Sequence, residues 1–390
     1  MRTIVLFIVL TALILRVAAA ILIPDQTATL PDSGAYRAAA EHFRNTLRID
    51  TPIFMPLYPA LLALVGTGLG QLLLDSTLSA ILVWLVFELS MSLFGDVLTA
   101  TITAIFVAIY PHFIFFAAVG LTETLFMTLT VATFVCWYRN RFIAAAVFAT
   151  LAILTRPTFD FIAPLLVVYF ALAIHRLHVR GAVRQLFIYA VIYCAMMSPW
   201  WLHNYRAYGA FVRLDLGAGM ALYSGNNPYS RGGGIDLELN EHMKPFAAIS
   251  DPVERDRALR QAALHQIRDD PTGFIERAGL KFLRFWRLWP YTESYSNIGF
   301  VVASFLSFAP VLGLALAFLA LRGYRNFRRI APLLLFGGYL TCLHMIVPGS
   351  IRYRIPLEPF LIVLAGAGVV EIASKNRFGR WALDSLRARL

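Results

Sequence analysis

Residues 3–23 read TIVLFIVLTALILRVAAAILI, an apolar run with one charge, Arg16. About 20 apolar residues are what a helix needs to cross the hydrocarbon core of a bilayer. Arg2 and Ala18-Ala19-Ala20 give the run some look of a cleaved signal. Arg16 interrupts it, however, and the rest of the chain is equally apolar, so it reads as an uncleaved first span. Similar runs follow at 56–74, 77–95, 97–118, 121–138, 142–155, 157–174, 184–202, 297–321, 330–347 and 355–373. The 390 residues are 59% hydrophobic and 15% charged, where a soluble domain holds about a quarter charged. Mean hydropathy is +0.67. The fold class expected is an all-α polytopic membrane protein with about 10–11 transmembrane helices.

The net charge of +11 points to no nucleic-acid partner here. Lys and Arg collect on the cytoplasmic side of membrane proteins, and the clusters stand between the apolar runs. They are Arg139 and Arg141; Arg176, Arg180 and Arg184; Arg322, Arg325, Arg328 and Arg329; and Lys375, Arg377, Arg380, Arg387 and Arg389. Alternation then places 24–55, 111–123, the turn Thr155-Arg156-Pro157, the long loop 203–296 and 348–354 on the outer side. Eleven spans cannot join two cytoplasmic termini, so one segment fails to cross. Residues 56–74 are the first choice, since they open Pro56-Leu57-Tyr58-Pro59 and carry Gly66, Gly68 and Gly70; 142–155 is the alternative.

Three regions follow. Residues 1–202 form an N-terminal transmembrane module with an outer first loop, 24–55. Residues 203–296 form a periplasmic loop with amphipathic helices. Residues 297–390 form C-terminal transmembrane helices and a basic cytoplasmic tail. Within the loop, 252–268 reads helical with Asp251 as its N-cap. Residues 274–289 interleave Arg277, Lys281, Arg284 and Arg287 with aromatics, as an interfacial helix does. Gly232-Gly233-Gly234 reads as a turn.

Cys136, Cys194 and Cys342 lie in apolar runs and make no disulfide framework or CxxC site. His112, His203 and His344 share no ligand spacing, so no zinc or iron site is expected. Arg16 and Glu88 are intramembrane charges, costly unless partnered, and pairing with each other is one option. Asp32, taken alone, reads as a solvated loop carboxylate. Glu123 opens a span, where an acid complements the helix dipole. Arg156 at a hairpin apex reads as a snorkelling side chain. Arg352-Tyr353-Arg354 places two arginines on the side that normally lacks them, which fits either a headgroup anchor or an anion such as phosphate.

These stretches, in order, resemble the GT-C superfamily of membrane glycosyltransferases. The nearest look is to bacterial relatives of dolichyl-phosphate-mannose protein mannosyltransferases and to lipid A aminoarabinose transferases. The resemblance rests on Asp32 to Tyr36 with Ala40, Pro56-Leu57-Tyr58-Pro59, Leu121-Thr122-Glu123-Thr124, Leu154-Thr155-Arg156-Pro157, Pro199-Trp200-Trp201-Leu202-His203-Asn204-Tyr205, Gly225-Asn226-Asn227-Pro228 and Arg352 to Pro359. Two departures stand out. His203 replaces a frequent arginine, and Asp32 is followed by Ser33 rather than a second acid, which leaves a divalent cation open as a cofactor.

The resemblance implies transfer of a sugar from a polyprenyl-phosphate donor to an envelope acceptor (glycolipid, glycan or protein) on the periplasmic face of the inner membrane, with inversion. It implies Asp32 as base and Glu123 as second acid. Arg352, Arg354 and Arg156 become the donor-phosphate ligands, and Tyr36, Tyr58, Asn226 and Tyr353 the substrate-positioning residues. Competing readings are a transporter or flippase of lipid-linked glycans, which needs the same arginines but no base, and a polymerase or ligase.

Overall fold

The computed structural model describes residues 2–23, 30–49, 51–230, 241–290, 295 and 297–389. Every regular element among them is helical. The first span is α1 (Arg2–Leu22). It turns Phe7, Ile14 and Ile21 outward and buries Ala12 and Arg16. After it come α2 (Pro31–Thr46) and α3 (Leu57–Val65). Nine residues of α3 reach only about 14 Å, too short to cross. The chain breaks at Gly66, whose φ is 93°, a conformation that costs glycine nothing. It then enters α4 (Leu69–Phe94), a helix of 26 residues. The break expected between 74 and 77 thus lies at 66–68.

Asp96 accepts from Thr99 N at 3.1 Å and caps α5 (Val97–Ile109). Pro111 divides α5 from α6 (Pro111–Phe116), so the expected span 97–118 is two helices. Proline has no N–H to offer the carbonyl four residues back, which is Val107. Arg16 meets that carbonyl at 2.9 Å, Ala108 O at 2.7 Å and Ser79 Oγ at 2.7 Å. The intramembrane arginine is therefore a cap for a broken helix. Glu88, its other suggested partner, pairs instead with Arg139.

Next come α7 (Glu123–Tyr138), α8 (Phe142–Ile153), α9 (Ile162–Tyr169), continued to Ile174 by a wider turn, and α10 (Val179–Tyr208). The long loop holds α11 (Ala218–Asn226), α12 (Lys244–Ala247), α13 (Pro252–Asp269) and α14 (Pro271–Trp286). Asp251 caps α13, accepting from Val253 N at 2.8 Å. On α14 the expected arrangement is inverted. Ile275 and Leu283 face out, while Arg277, Lys281 and Phe285 are buried. The basic groups thus serve the protein interior, and the helix offers apolar surface to its surroundings. The turn at 232–234 lies outside the described residues.

The chain closes with α15 (Ile298–Phe318), α16 (Tyr324–Ile346), α17 (Ile351–Arg354), α18 (Glu358–Ala373) and α19 (Arg377–Arg389). Among the described residues, five helical runs are long and apolar enough to cross a membrane: Thr3–Leu22, Leu69–Phe94, Val179–Tyr208, Ile298–Ile346 and Ile351–Ala373. Val97–Ile109, Glu123–Tyr138, Phe142–Ile153 and Ile162–Ile174 are apolar but shorter. The chain is a multi-pass membrane protein. Its basic clusters meet at one end. Arg139 pairs with Glu88, Arg322 with Glu371 and Arg387 with Asp96, and Arg329 donates to Leu93 O. α7 runs from that end to Glu123, about 24 Å away, where the candidate site gathers.

Candidate active site

Four short backbone devices bring the site together. Pro31 starts α2, so Asp32 falls in its first turn. Ser33 Oγ donates to Val119 O at 2.7 Å and pins that turn to the approach to α7. Gly120, at φ +69°, lies where a Cβ would meet Gln71 Nε2 at 1.8 Å, and Gln71 Oε1 accepts from Arg37 on α2 at 3.0 Å. Leu57 N donates to Leu154 O at 3.0 Å, tying the start of α3 to the turn that carries Arg156.

The result is a chain of alternating charge. Arg352 donates through Nη1 to Asp32 Oδ2 at 2.6 Å and through Nε to Glu123 Oε1 at 2.5 Å. Arg156 Nη1 lies 2.8 Å from the same Glu123 oxygen. Two carboxylates and two guanidiniums thus balance. Their exposures differ: the side chain of Asp32 is 47% exposed, Arg352 23%, Arg156 14% and Glu123 0%. Glu123 is not on the cavity wall. It lies behind the two arginines and fixes their positions. Arg352 Nη2 makes no hydrogen bond among the described residues and remains a donor for a ligand.

Asp32, Arg156 and Arg352 open on a cleft of about 1040 Å³. Tyr36, Phe54, Phe161 and Phe211 give it apolar wall. Tyr36 stacks on Phe54 with centroids 4.2 Å apart, and burial pushes its hydroxyl up to about 12, against the pull of Arg352 and Arg156. Tyr353 also lines the cleft. It is the middle of a layer, with His344 stacked on one side at 4.6 Å and the Arg156 guanidinium 5.8 Å from its ring centre.

Three of the expected site residues are elsewhere. Arg354 is fully buried. It pairs with Glu358 at 2.9 Å, donates to Phe285 O at 3.1 Å and Arg287 O at 2.5 Å, and lies over the Phe308 ring. It ties the end of α14 and the start of α18 to the middle of α15 and does not reach the cleft. Tyr58 is buried and donates to Asp75 at 2.8 Å. Asn226 is buried and donates to Leu222 O and Ile346 O.

No family model matches the sequence, and no curated protein matches it by sequence either. Solved structures do match. The apo oligosaccharyltransferase of Archaeoglobus fulgidus superposes with a TM-score of 0.55 at 16% identity, over 98% of this chain and 52% of that one. The same archaeal enzyme, AglB, holding an inhibitory peptide and a dolichol-phosphate, gives 0.57 at 14%, again over 98% and 52%. Apo ArnT from Cupriavidus metallidurans gives 0.56 at 14%, over 95% and 61%. The chain has the GT-C fold. It spans about half to three fifths of the length of these neighbours.

Within this GT-C fold the donor set does not fit the divalent cation left open above. Metal ions of that kind need several converging oxygen ligands. Asp32 and Glu123 instead converge on the Arg352 guanidinium, and no group of three His, Cys, Asp or Glu side chains gathers among the described residues.

Sequence reasoning missed the second polar side of the cleft: Arg213, Asp215, Asp256, Arg257 and Arg260. Asp215 is pushed up to about 6, by burial first and then by Asp256. The signal was the Pro199 to Tyr205 stretch. Trp200 Nε1 donates to Leu214 O at 2.7 Å, Trp201 Nε1 to Arg213 O at 2.9 Å and Asn204 to Val212 O at 3.0 Å. That motif holds the segment forming the cleft wall. His203, at the family's frequent arginine position, meets Ile49 O at 3.1 Å and stacks on Trp200.

Proposed function

We propose that this protein is an inverting glycosyltransferase. It moves a sugar from a polyprenyl-phosphate donor to an envelope glycolipid, glycan or protein, in a cleft facing the periplasm. The observation that carries the reading is Asp32 beside Arg352 at the mouth of the cleft, in a GT-C fold. An acceptor hydroxyl or amine attacks the anomeric carbon from the face opposite the phosphate. Asp32 takes its proton as general base. The bond from the anomeric carbon to the phosphate oxygen breaks, and the electron pair leaves on that oxygen. Arg352 and Arg156 face the charge that develops there, the kind of preorganised stabilisation that contributes most to such steps. Glu123 is a positioning residue that aims both guanidiniums. Tyr36 and Tyr353 shape the sugar and acceptor space.

The placement of the cleft opposite the converged basic clusters supports the periplasmic face. AglB's dolichol-phosphate is the same class of lipid as the proposed donor. The test is transfer in detergent from a radiolabelled polyprenyl-phosphate sugar to an extract of envelope acceptors, with mass spectrometry of the product. Label moving onto an acceptor, with loss in Arg352→Ala, is the expected result. Donor binding without transfer under any acceptor supplied would refute the reading.

A further inference from the structure

Lys281 is the one fully buried lysine among the described residues, and no acid contacts it. Its ammonium donates to Gly225 O at 3.1 Å, Asn226 Oδ1 at 2.9 Å and Ile346 O at 2.9 Å. Two of these acceptors end α11 and the third ends α16. Asn226 completes the knot by donating to Ile346 O at 2.8 Å. The last carbonyls of a helix lack intrahelical partners and carry partial negative charge, so one cation satisfies both ends. An uncompensated buried ammonium is costly, and such a group persists where something depends on it.

What depends on it is the turn that follows. Ile346 leads through Val347, Pro348 and Gly349 to Ser350, the cap of α17, and then to Arg352. The packing there leaves no slack. A Cβ on Gly225 would lie 3.2 Å from Pro348 N, and one on Gly349 would lie 2.5 Å from Lys281 O. His344, two residues before Ile346, meets Pro348 O at 2.9 Å and stacks between Phe285 and Tyr353. Phe285 stands one helical turn beyond Lys281 on α14. We propose that Lys281 is a positioning residue for Arg352: it clamps the ends of α11 and α16, and so holds the 347–350 turn that aims the guanidinium at Asp32 and Glu123. Burial lowers its pKa to about 8, with a smaller push from Arg277, so the charge is still carried at neutral pH. The Gly225-Asn226-Asn227-Pro228 landmark thereby acquires a role as the seat of this cation.

The consequence for ligand binding rests on the reading of Arg352 as a phosphate ligand. The test therefore has two arms, both in protein whose three cysteines are replaced by serine. One measures binding of undecaprenyl phosphate in detergent to the wild type, Lys281→Met, Lys281→Gln and Arg352→Ala. The other measures the rate at which a Ser350→Cys thiol reacts with a soluble maleimide, with and without Lys281→Met. The expected result is binding weakened at least tenfold in Lys281→Met, an intermediate value in Lys281→Gln, and labelling at least tenfold faster. Wild-type binding by Lys281→Met while Arg352→Ala binds weakly overturns the proposal and leaves the phosphate reading standing. Wild-type binding by Arg352→Ala removes the phosphate reading, and the labelling rate alone then decides whether Lys281 holds the turn. If Lys281→Met does not accumulate, Lys281→Gln carries both arms.

Discussion

Replacing Arg352 by lysine and by alanine separates the two things its guanidinium does. Arg352 uses two different nitrogens, Nε toward Glu123 at 2.5 Å and Nη1 toward Asp32 at 2.6 Å. Lysine has a single nitrogen on a flexible stem and cannot hold both carboxylates in that geometry. It keeps the charge and loses one charge-assisted hydrogen bond, worth about 1.5–3 kcal/mol. That corresponds to about 10- to 150-fold in rate. Alanine loses both bonds and leaves Glu123, fully buried, with Arg156 alone. Breaking a buried pair in this way costs about 3–5 kcal/mol, so the alanine variant should fall further and also lose thermal stability. The assay is initial-rate transfer from a polyprenyl-phosphate sugar, with kcat and KM measured separately and melting followed by intrinsic tryptophan fluorescence. Expected are Arg352→Lys between wild type and Arg352→Ala in kcat/KM, with only alanine losing several degrees of melting temperature. Equal kcat/KM for lysine and alanine would mean that charge at this position contributes nothing, and lysine at the wild-type rate would mean that the two-nitrogen geometry is irrelevant.

Asp32→Asn should lower transfer by about 10² or more while undecaprenyl phosphate still binds; near-normal turnover would exclude Asp32 as the base. Arg354→Met should lower melting temperature and yield with KM unchanged in the folded fraction, since it leaves buried Glu358 with His112 as its one ionic partner and leaves the cleft alone; a selective KM rise at normal stability would put Arg354 back on the donor. Asp215 has a folded pKa raised to about 6 from an ordinary value near 4. The unfolded chain therefore ionises first, and stability is lost as pH rises through that window. Asp215→Asn should raise melting temperature above pH 6 and leave it unchanged below pH 4, and a pH-independent difference would contradict this. Single cysteines at Glu254 and Asn376, in the cysteine-free background, should label from opposite sides of sealed cells and inverted vesicles.

Much of this was legible because bilayer physics writes itself into sequence. Apolar run length and clustered arginines gave the helices and the basic end, and Asp251 before Pro252 gave the start of α13. The misses have local causes. Hydropathy sets the break after α3 too late because Gly66 and Gly68 lie inside a continuous apolar run, and run length is blind to a backbone at φ 93°. Arg352 and Arg354 read in sequence as one clamp, yet residues two apart on a helix point about 200° apart. They occupy α17, so only one of them can face the cleft. The deciding clue was Glu358, four residues beyond Arg354 and hence on its face. Arg277 and Lys281 looked interfacial because a helix with basic and aromatic residues reads the same whichever face is inward. Arg213 and Asp215 carried no signal of their own, since the motif that holds their segment lies at 199–205.

The position of Asp32 bears on whether the cleft does chemistry or only passes a lipid phosphate along. A carrier for an anion gains from cations alone. A carboxylate about 4 Å from the bound phosphate would cost about 4 kcal/mol near a protein surface. Here the carboxylate is held at the arginine, bonded to it at 2.6 Å, lines the cleft and leaves nearly half of its side chain exposed. That cost makes sense only if the carboxylate acts on something beside the phosphate, as a base acts on an acceptor. One substitution separates the two cases. Asp32→Asn should tighten undecaprenyl phosphate in either case, because it removes the repulsion. In a carrier, tighter binding would leave movement of the lipid intact. In a transferase, the same variant binds its donor well and turns it over poorly, so affinity and turnover move in opposite directions.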